Sequence, residues 1–280
     1  MRGTIHSEIR RFVEARMKEK AVRTAWEEPL VGYAAAKDPL FAQLKQAVRP
    51  THSLPADLLP GARTVVVYFL PFEAGIPRSN RRGRHASREW AAAYVETNQL
   101  ISDLNGRLAA VLKQAGFRCA CPPPTHNFDT ETLMSDWSHK HVAYIAGLGK
   151  FGVHHLLITS RGCAGRFGSL VTDAEIAPDP RPAGEYCLHK HNGTCRVCVK
   201  RCPAGALASG ALASGALAFD TMGGPVLDRH RCYAFCLENA ARYQDEGLAD
   251  VCGKCSVAVP CARVNPVALL ARGKEKKAKS

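Results

Sequence analysis

The chain has 280 residues and a mass of 30.3 kDa, the size of one large domain or two unequal ones. Hydrophobic residues make up 46% and charged residues 22%, which excludes a fully disordered chain, and no stretch approaches the roughly 18 apolar residues that a membrane span needs. Lys and Arg outnumber Asp and Glu by 38 to 25, a net charge of +13 that favours anionic partners such as nucleic acid, nucleotides or phosphorylated cofactors. The N-terminus, MRGTIHSEIRRFVEARMKEK, sets charges among its apolar positions and lacks the apolar run of a secretory signal, so a cytoplasmic protein is expected.

Ile5, Ile9, Phe12 and Val13 recur at helical spacing, and the β-branched run from Thr64 to Leu70 suits a buried strand. Arg78, Arg81, Arg82, Arg84 and Arg88 then crowd a loop, as a solvated basic face or as a site where forked donors meet phosphate oxygens. A long helix follows, because Trp90, Tyr94, Ile101, Leu104, Leu108 and Val111 keep one face, and Gly116 sits where a C′ glycine ends a helix. Phe117 to Cys121 reads as a short strand, stopped by Pro122, Pro123 and Pro124, whose alternation puts the Cys119 and Cys121 thiols on one face, either as a dithiol or metal pair or, the favoured reading, as ordinary buried groups.

The stretch HNFDTETLMSDWSHKH carries Asp129, Asp136, His139 and His141 just before a glycine loop, and His154 and His155 lie just after it. It is a polar surface segment or a proton relay, in which a carboxyl group of raised pKa or an imidazolium donates to a reacting group. Asp136 is the first choice as acid, then Asp129, with His141 as a further candidate. Gly147-x-Gly149-x-x-Gly152, with Asp173 about twenty residues on, matches the dinucleotide fingerprint. Tyr144 and Ile145 end a plausible strand, but LLIT reads as another strand and leaves little room for the required helix. A loop that approaches a large flat cofactor needs glycine as much. PDPRP, from Pro178 to Pro182, forms a stiff connector, and the five-residue repeat GALAS within Gly205 to Ala218 reads as an expansion without chemistry of its own.

Nine of the twelve cysteines fall between Cys187 and Cys261. In a reducing compartment thiols in this number bind metal or do redox chemistry. Cys195, Cys198 and Cys202 stand at C-x2-C-x3-C before Pro203, most of a bacterial ferredoxin run, with Asn192 at its first position. Either Cys187, five residues upstream of Asn192, fills the vacancy on a longer loop or the cluster has an unusual or missing ligand. Cys252, Cys255 and Cys261 form a second set, preceded by Cys232 and Cys236. The crossing rule of two-cluster ferredoxins assigns Cys187, Cys195, Cys198 and Cys261 to one four-iron cluster and Cys202, Cys232, Cys252 and Cys255 to the other. Cys236, one helical turn after Cys232, competes for the same position. The rival is a zinc ribbon built from Cys195, Cys198, Cys252 and Cys255, which leaves Cys202-Pro203 without a role.

GARTVVVYFLPF, AGLGKFG, LLIT and FGSLVTDAEI, followed by the cysteine runs, resemble the epoxyqueuosine reductases and their relatives, which are similar to reductive dehalogenases. The resemblance runs from about Gly61 to Pro266. It implies an α/β fold, an α+β nitroreductase-like domain over residues 1–180, that holds a base-off cobalamin, and a ferredoxin-like domain with two 4Fe-4S clusters over residues 181–268, before a basic tail at 269–280. The clusters would pass electrons to cobalt for reductive removal of oxygen or halide. The resemblance places Gly147, Leu148, Gly149 and Gly152 against the corrin, and Arg82 and Arg84 are candidates for its nucleotide tail. No D-x-H-x-x-G signature occurs, because Asp228-x-His230 has Tyr233 where the glycine should be, and this family is expected to hold cobalamin without that ligand. Reduced ferredoxin or flavodoxin is the implied electron donor, and the substrate is a small molecule or RNA.

Three features depart from the family pattern: Asn192, the Cys255-x5-Cys261 spacing, and a chain that ends after the clusters, where epoxyqueuosine reductases continue into a helical-repeat domain. A relative acting on another substrate, or on a corrinoid partner protein, is compatible with all three. The alternatives to a cobalamin-dependent reductase are a dicluster electron carrier and a zinc-stabilised nucleic-acid-binding protein.

Overall fold

The computed structural model describes residues 1–207 and 227–271. In chain order its elements are α1 (Arg2–Arg16), β1 (Leu30–Ala35), α2 (Leu40–Ala47), α3 (Pro55–Leu58), β2 (Thr64–Pro71), α4 (Gly75–Ser79), α5 (Arg88–Gln114), β3 (Cys119–Ala120), α6 (His139–Ile145), β4 (Gly149–Phe151), β5 (Leu157–Thr159), β6 (Gly165–Thr172), α7 (Leu188–Asn192), α8 (Val197–Lys200) and α9 (Arg229–Arg242). Among the described residues no helix is long and apolar enough to cross a membrane. Most of the GALAS repeat, from residue 208 on, lies outside the described residues, as do residues 272–280 of the expected tail; residues 266–271 are helical.

A four-stranded antiparallel sheet, in the order β1-β2-β6-β3, organises the first part of the chain. Every residue of β2 is buried. Its alternate side chains enter two cores: Val66, Tyr68 and Leu70 pack with α1 and α5, while Val65 and Val67 pack with α2 and α6. A strand covered on both faces has no polar side, which is why TVVVYFL is an unbroken apolar run. Inside the first core the Tyr68 hydroxyl donates to Asn105 Oδ1 at 2.8 Å, and on the same alternation of this strand the Thr64 hydroxyl donates to Ala174 O at 2.8 Å, so both buried hydroxyls have partners.

α5 begins at Ser87, whose side chain accepts the Trp90 N–H at 3.1 Å, and ends before Gly116 in the left-handed conformation. Its buried stripe ends on Leu112 where Val111 was expected, one step further round the helix. The Glu8 carboxylate of α1, only 6% exposed, accepts from Arg107 Nε of α5 at 2.6 Å and from Arg11. That pairing ties α1 to the long helix.

Tyr144 and Ile145 lie in a helix, α6, where a strand end was expected. Val142, Ala143, Ile145 and Ala146 are buried at helical spacing against the sheet, and this packing outweighs the strand preference of the aromatic and β-branched pair. α6 closes in a Schellman turn: Gly147 N–H donates to Tyr144 O and Leu148 N–H to Ala143 O, both at 3.0 Å, with Gly147 at φ +76°. β4 and β5 then pair as a hairpin, Gly149 opposite Thr159 and Phe151 opposite Leu157. No helix follows the glycines, so the strand–glycine–helix succession of a dinucleotide site is not formed.

The proline connector is pinned to the edge of the sheet. Asp179 N–H donates to Tyr33 O at 2.9 Å, its carboxylate accepts from Tyr33 N–H at 3.0 Å, and it also pairs with Arg2. Beyond it, hydrophobic packing crosses the expected boundary near residue 180. Val257 belongs to the core of β2 and α5, and a third cluster joins Val153, Ile158 and Cys163 to Cys187, Cys198, Val259 and Cys261.

Arg107 holds the Glu8 carboxyl below its ordinary value of 4.5, so the pair stabilises the fold above that pH and loses the contribution as pH falls through the depressed value. Glu8→Gln is expected to reduce the unfolding free energy by about 2 kcal/mol at pH 7, and by less as the pH drops below 4, read from urea midpoints.

Candidate metal centre

Four cysteines from three segments line one cleft: Cys187, Cys195, Cys198 and Cys261, with Val153, His154, Val259 and Pro260 on the walls. Cys187 immediately precedes α7, Cys195 and Cys198 flank the start of α8, and Cys261 follows Pro260 on the last loop. Asn192 is exposed and spent on a local turn, its Oδ1 accepting Thr194 N–H at 3.1 Å and the Thr194 hydroxyl at 2.6 Å. Of the two, Cys187 lines the cleft and Asn192 does not.

The second group is half-buried beside the first. Cys255 lies within electrostatic range of Cys252, Cys232 and Cys202, and of Cys198 from the first group. Burial and neighbouring thiols push Cys198 up to about 12 and Cys252 up to about 11, and raise Cys255 well above the ordinary thiol range. Cys236 sits one turn from Cys232 on α9; the two thiols share a hydrogen bond that favours the thiolate at Cys232 and opposes it at Cys236. Sulfur donors gathered in this way suit soft metals, iron–sulfur clusters or zinc. The cleft groups Cys195 and Cys198 with Cys187 and Cys261, a set that the four-cysteine ribbon does not call for.

Contacts from the α/β part hold both groups. Cys163 N–H donates to Cys261 O at 3.0 Å and Ala164 N–H to Ala262 O at 2.9 Å. Asn80 Nδ2 donates to Cys252 O at 2.9 Å. Lys254, between Cys252 and Cys255, is 2% exposed, and its ammonium donates to Asn80 O at 2.9 Å and Arg82 O at 2.8 Å. Gly253, at φ +69°, lies on the Trp90 indole, where a Cβ would stand 2.2 Å from a ring carbon, so this position admits only glycine. The arginine loop is thus a backbone socket for Lys254. Its Arg84 side chain stacks over Phe235 and lies 3.9 Å from Glu238, whereas Arg82 is exposed.

The glycine loop is filled by protein. A Cβ on Gly147 would stand 2.5 Å from Pro180 O, on Gly149 2.0 Å from Ile158 O, and on Gly152 2.6 Å from the His154 ring, and the Leu148 side chain packs against Gly32. These glycines answer to packing inside the chain and leave no open cradle at their own positions.

Asp129 and Asp136 share Arg49: Asp136 Oδ1 is 3.4 Å from its Nε and also accepts from Thr51 at 2.6 Å, and Asp129 Oδ2 is 3.7 Å from its Nη2. Hydrogen bonds from Thr132 hold the Asp129 carboxyl below its ordinary range, the opposite of what an acid at neutral pH needs. His141, half-buried, is within 2.7 Å of Ser138 Oγ and packs on Phe151, and burial keeps it neutral. The Cys119 and Cys121 thiols do touch, but Cys119 is half-buried and Cys121 exposed, so the expected burial of the pair is not met.

Two groups were missed from sequence. Cys163, buried, stands with Cys261 and His154, their ligand atoms all within 4.8 Å of one another. His126 Nε2 lies 3.1 Å from the buried Asp250, close to Tyr94 and Arg166. Cys163 lies outside both cysteine runs, and the second group draws on four distant segments, so spacing gave no sign of either.

No family model matches the sequence, and no curated protein matches it. Solved structures do. Epoxyqueuosine reductase from Streptococcus thermophilus aligns over 89% of this chain and 65% of its own at 17% identity and a TM-score of 0.52. The enzyme from Bacillus subtilis aligns over 92% and 66% at 17% identity and a TM-score of 0.53. A reductive dehalogenase described as performing B12-dependent dehalogenation aligns over 87% of this chain and 31% of its own at 18% identity and a TM-score of 0.56. The chain thus spans just under two thirds of the epoxyqueuosine reductases and about a third of the dehalogenase. The resemblance read from the motifs is met at the level of architecture: this chain has the fold of the epoxyqueuosine reductases and reductive dehalogenases.

Proposed function

We propose that the chain is an iron–sulfur oxidoreductase with two 4Fe-4S clusters, resembling epoxyqueuosine reductase and acting in reductive removal of oxygen or halide. The observation that carries the reading is the convergence of Cys187, Cys195, Cys198 and Cys261 on one cleft, with Cys252 and Cys255 beside it, each within electrostatic range of Cys202 and Cys232. Bound at these two groups, the clusters supply one-electron transfer. The chain's own part is to hold the sulfurs and balance their charge. Val153 and Val259 give the first group apolar walls, and the buried Lys254 ammonium sets a positive charge among the cysteines of the second. Cys255 and Cys198 are close enough for the two groups to influence each other, as a relay between clusters requires.

Cobalamin is the acceptor that the resemblance implies. At the residues nominated for it the Cβ directions of Gly147, Gly149 and Gly152 point into protein, and the exposed Arg84 guanidinium stacks over Phe235 and lies 3.9 Å from Glu238. These contacts favour, as second reading, a dicluster carrier that reduces a separate partner such as a corrinoid protein. In the reductase reading Asp136 remains the proposed acid and Asp129 the second choice. The Bacillus subtilis structure is described with its catalytic aspartate loop swung out of the active site. Here, correspondingly, Asp136 would need to leave Arg49 and Thr51 before giving up a proton. Reduced ferredoxin or flavodoxin is the proposed donor, and a small molecule or RNA the proposed substrate.

Protein purified without oxygen is expected to carry about eight irons per chain. Cys187→Ala is expected to lose about half of them, whereas Asn192→Ala keeps them all; equal iron in both variants would contradict the assignment of Cys187. One cobalt per chain after incubation with cobalamin supports the reductase, and iron without cobalt leaves the carrier. If the reductase reading holds, Asp136→Asn is expected to lower turnover by about 100-fold or more with iron content and cluster spectra unchanged; undiminished turnover would pass the role to another group.

A further inference from the structure

His154 lies on the turn between β4 and β5, is 3% exposed, and forms part of the wall of the first cleft. Its Nδ1 accepts the backbone N–H of Leu156 at 3.1 Å. A ring nitrogen that accepts carries no proton, so in the neutral imidazole the proton sits on Nε2. That nitrogen is 3.5 Å from the Cys261 sulfur and 3.6 Å from the Cys163 sulfur. A protonated nitrogen has no lone pair for a metal. The close grouping of His154, Cys163 and Cys261 is therefore a donor set against two sulfurs, and the imidazole is not a metal ligand in it.

Two further features fix the ring. Gly152 leaves the space that the ring occupies, since a Cβ there would stand 2.6 Å from Cε1. The backbone bonds from Cys163 to Cys261 and from Ala164 to Ala262 lock the strand after the hairpin to the ligand segment. The distance from Nε2 to the Cys261 sulfur is thus set by main-chain pairing as well as by the side chain.

We propose that His154 donates its Nε2–H to the ligand sulfur of Cys261 and thereby sets the reduction potential of the first cluster, with the Cys163 thiol held beside that sulfur as a non-ligating neighbour. This rests on the iron–sulfur reading above. A hydrogen bond to a ligand sulfur stabilises the added negative charge of the reduced cluster and so raises its potential. His154 acts through Cys261 and is a positioning residue.

The test is a redox titration followed by electron paramagnetic resonance on the full anaerobic chain, comparing wild type with His154→Phe, His154→Gln and Cys163→Ala. The expected result is unchanged iron in all four proteins, a more negative midpoint for one cluster in His154→Phe, and its recovery in His154→Gln, which restores an N–H donor. Unmoved midpoints in iron-loaded His154→Phe overturn the proposal. Loss of about half the iron in His154→Phe or in Cys163→Ala also overturns it, because either side chain would then hold the cluster. Wild-type protein without iron overturns the iron–sulfur reading itself, an outcome distinct from loaded protein whose potentials do not move.

Discussion

Thiols buried among other thiols resist losing their protons, because burial penalises the charged form and each neighbouring thiolate adds to the cost. Burial first, and neighbouring thiols second, raise Cys198, Cys252 and Cys255 above the ordinary thiol range. A chain that gathers such groups has built an arrangement that a cation stabilises, as the Lys254 ammonium near Cys252 and the Lys140 ammonium near Cys232 do in part. The surrounding structure serves to keep that arrangement from relaxing.

The restraint comes from the sheet. β2, buried on both faces, fixes β6, and the segment that leads into β6 carries Cys163 and Ala164, whose backbone bonds seize Cys261 and Ala262. On the other side of β2 the loop before α5 lends its carbonyls to Lys254, while Trp90 in the first turn of α5 lies against Gly253. Cysteine segments of both groups are thus anchored to the α/β core. The fold similarity to two sets of reductases, at 17–18% identity, is consistent with a framework that tolerates wide substitution while keeping the core geometry.

What was legible in the sequence was whatever rests on local pattern. The apolar run of β2, the stripe of α5 with its terminal glycine, and the cysteine spacings all declare themselves within a few residues of chain. What depends on distant packing did not. Tyr144 and Ile145 look like strand residues, but Val142 and Ala146 need a helix to reach the sheet. The glycines of AGLGKFG look like a ligand loop, yet a Schellman turn, a tight hairpin and a histidine ring account for them one by one. The arginine loop reads from its side chains as a solvated basic face or an anion site, whereas its backbone carbonyls hold Lys254 between two cysteines of the second group. Cys163 is far in sequence from every cysteine it faces.

If two separate four-thiol groups each hold one iron–sulfur cluster, anomalous diffraction at the iron edge from anaerobic crystals will locate both. The account predicts two iron peaks, one among Cys187, Cys195, Cys198 and Cys261 and one among Cys202, Cys232, Cys252 and Cys255. No peak at the iron edge, with a single one that appears only above the zinc edge and joins Cys195 and Cys198 to Cys252 and Cys255, would overturn it.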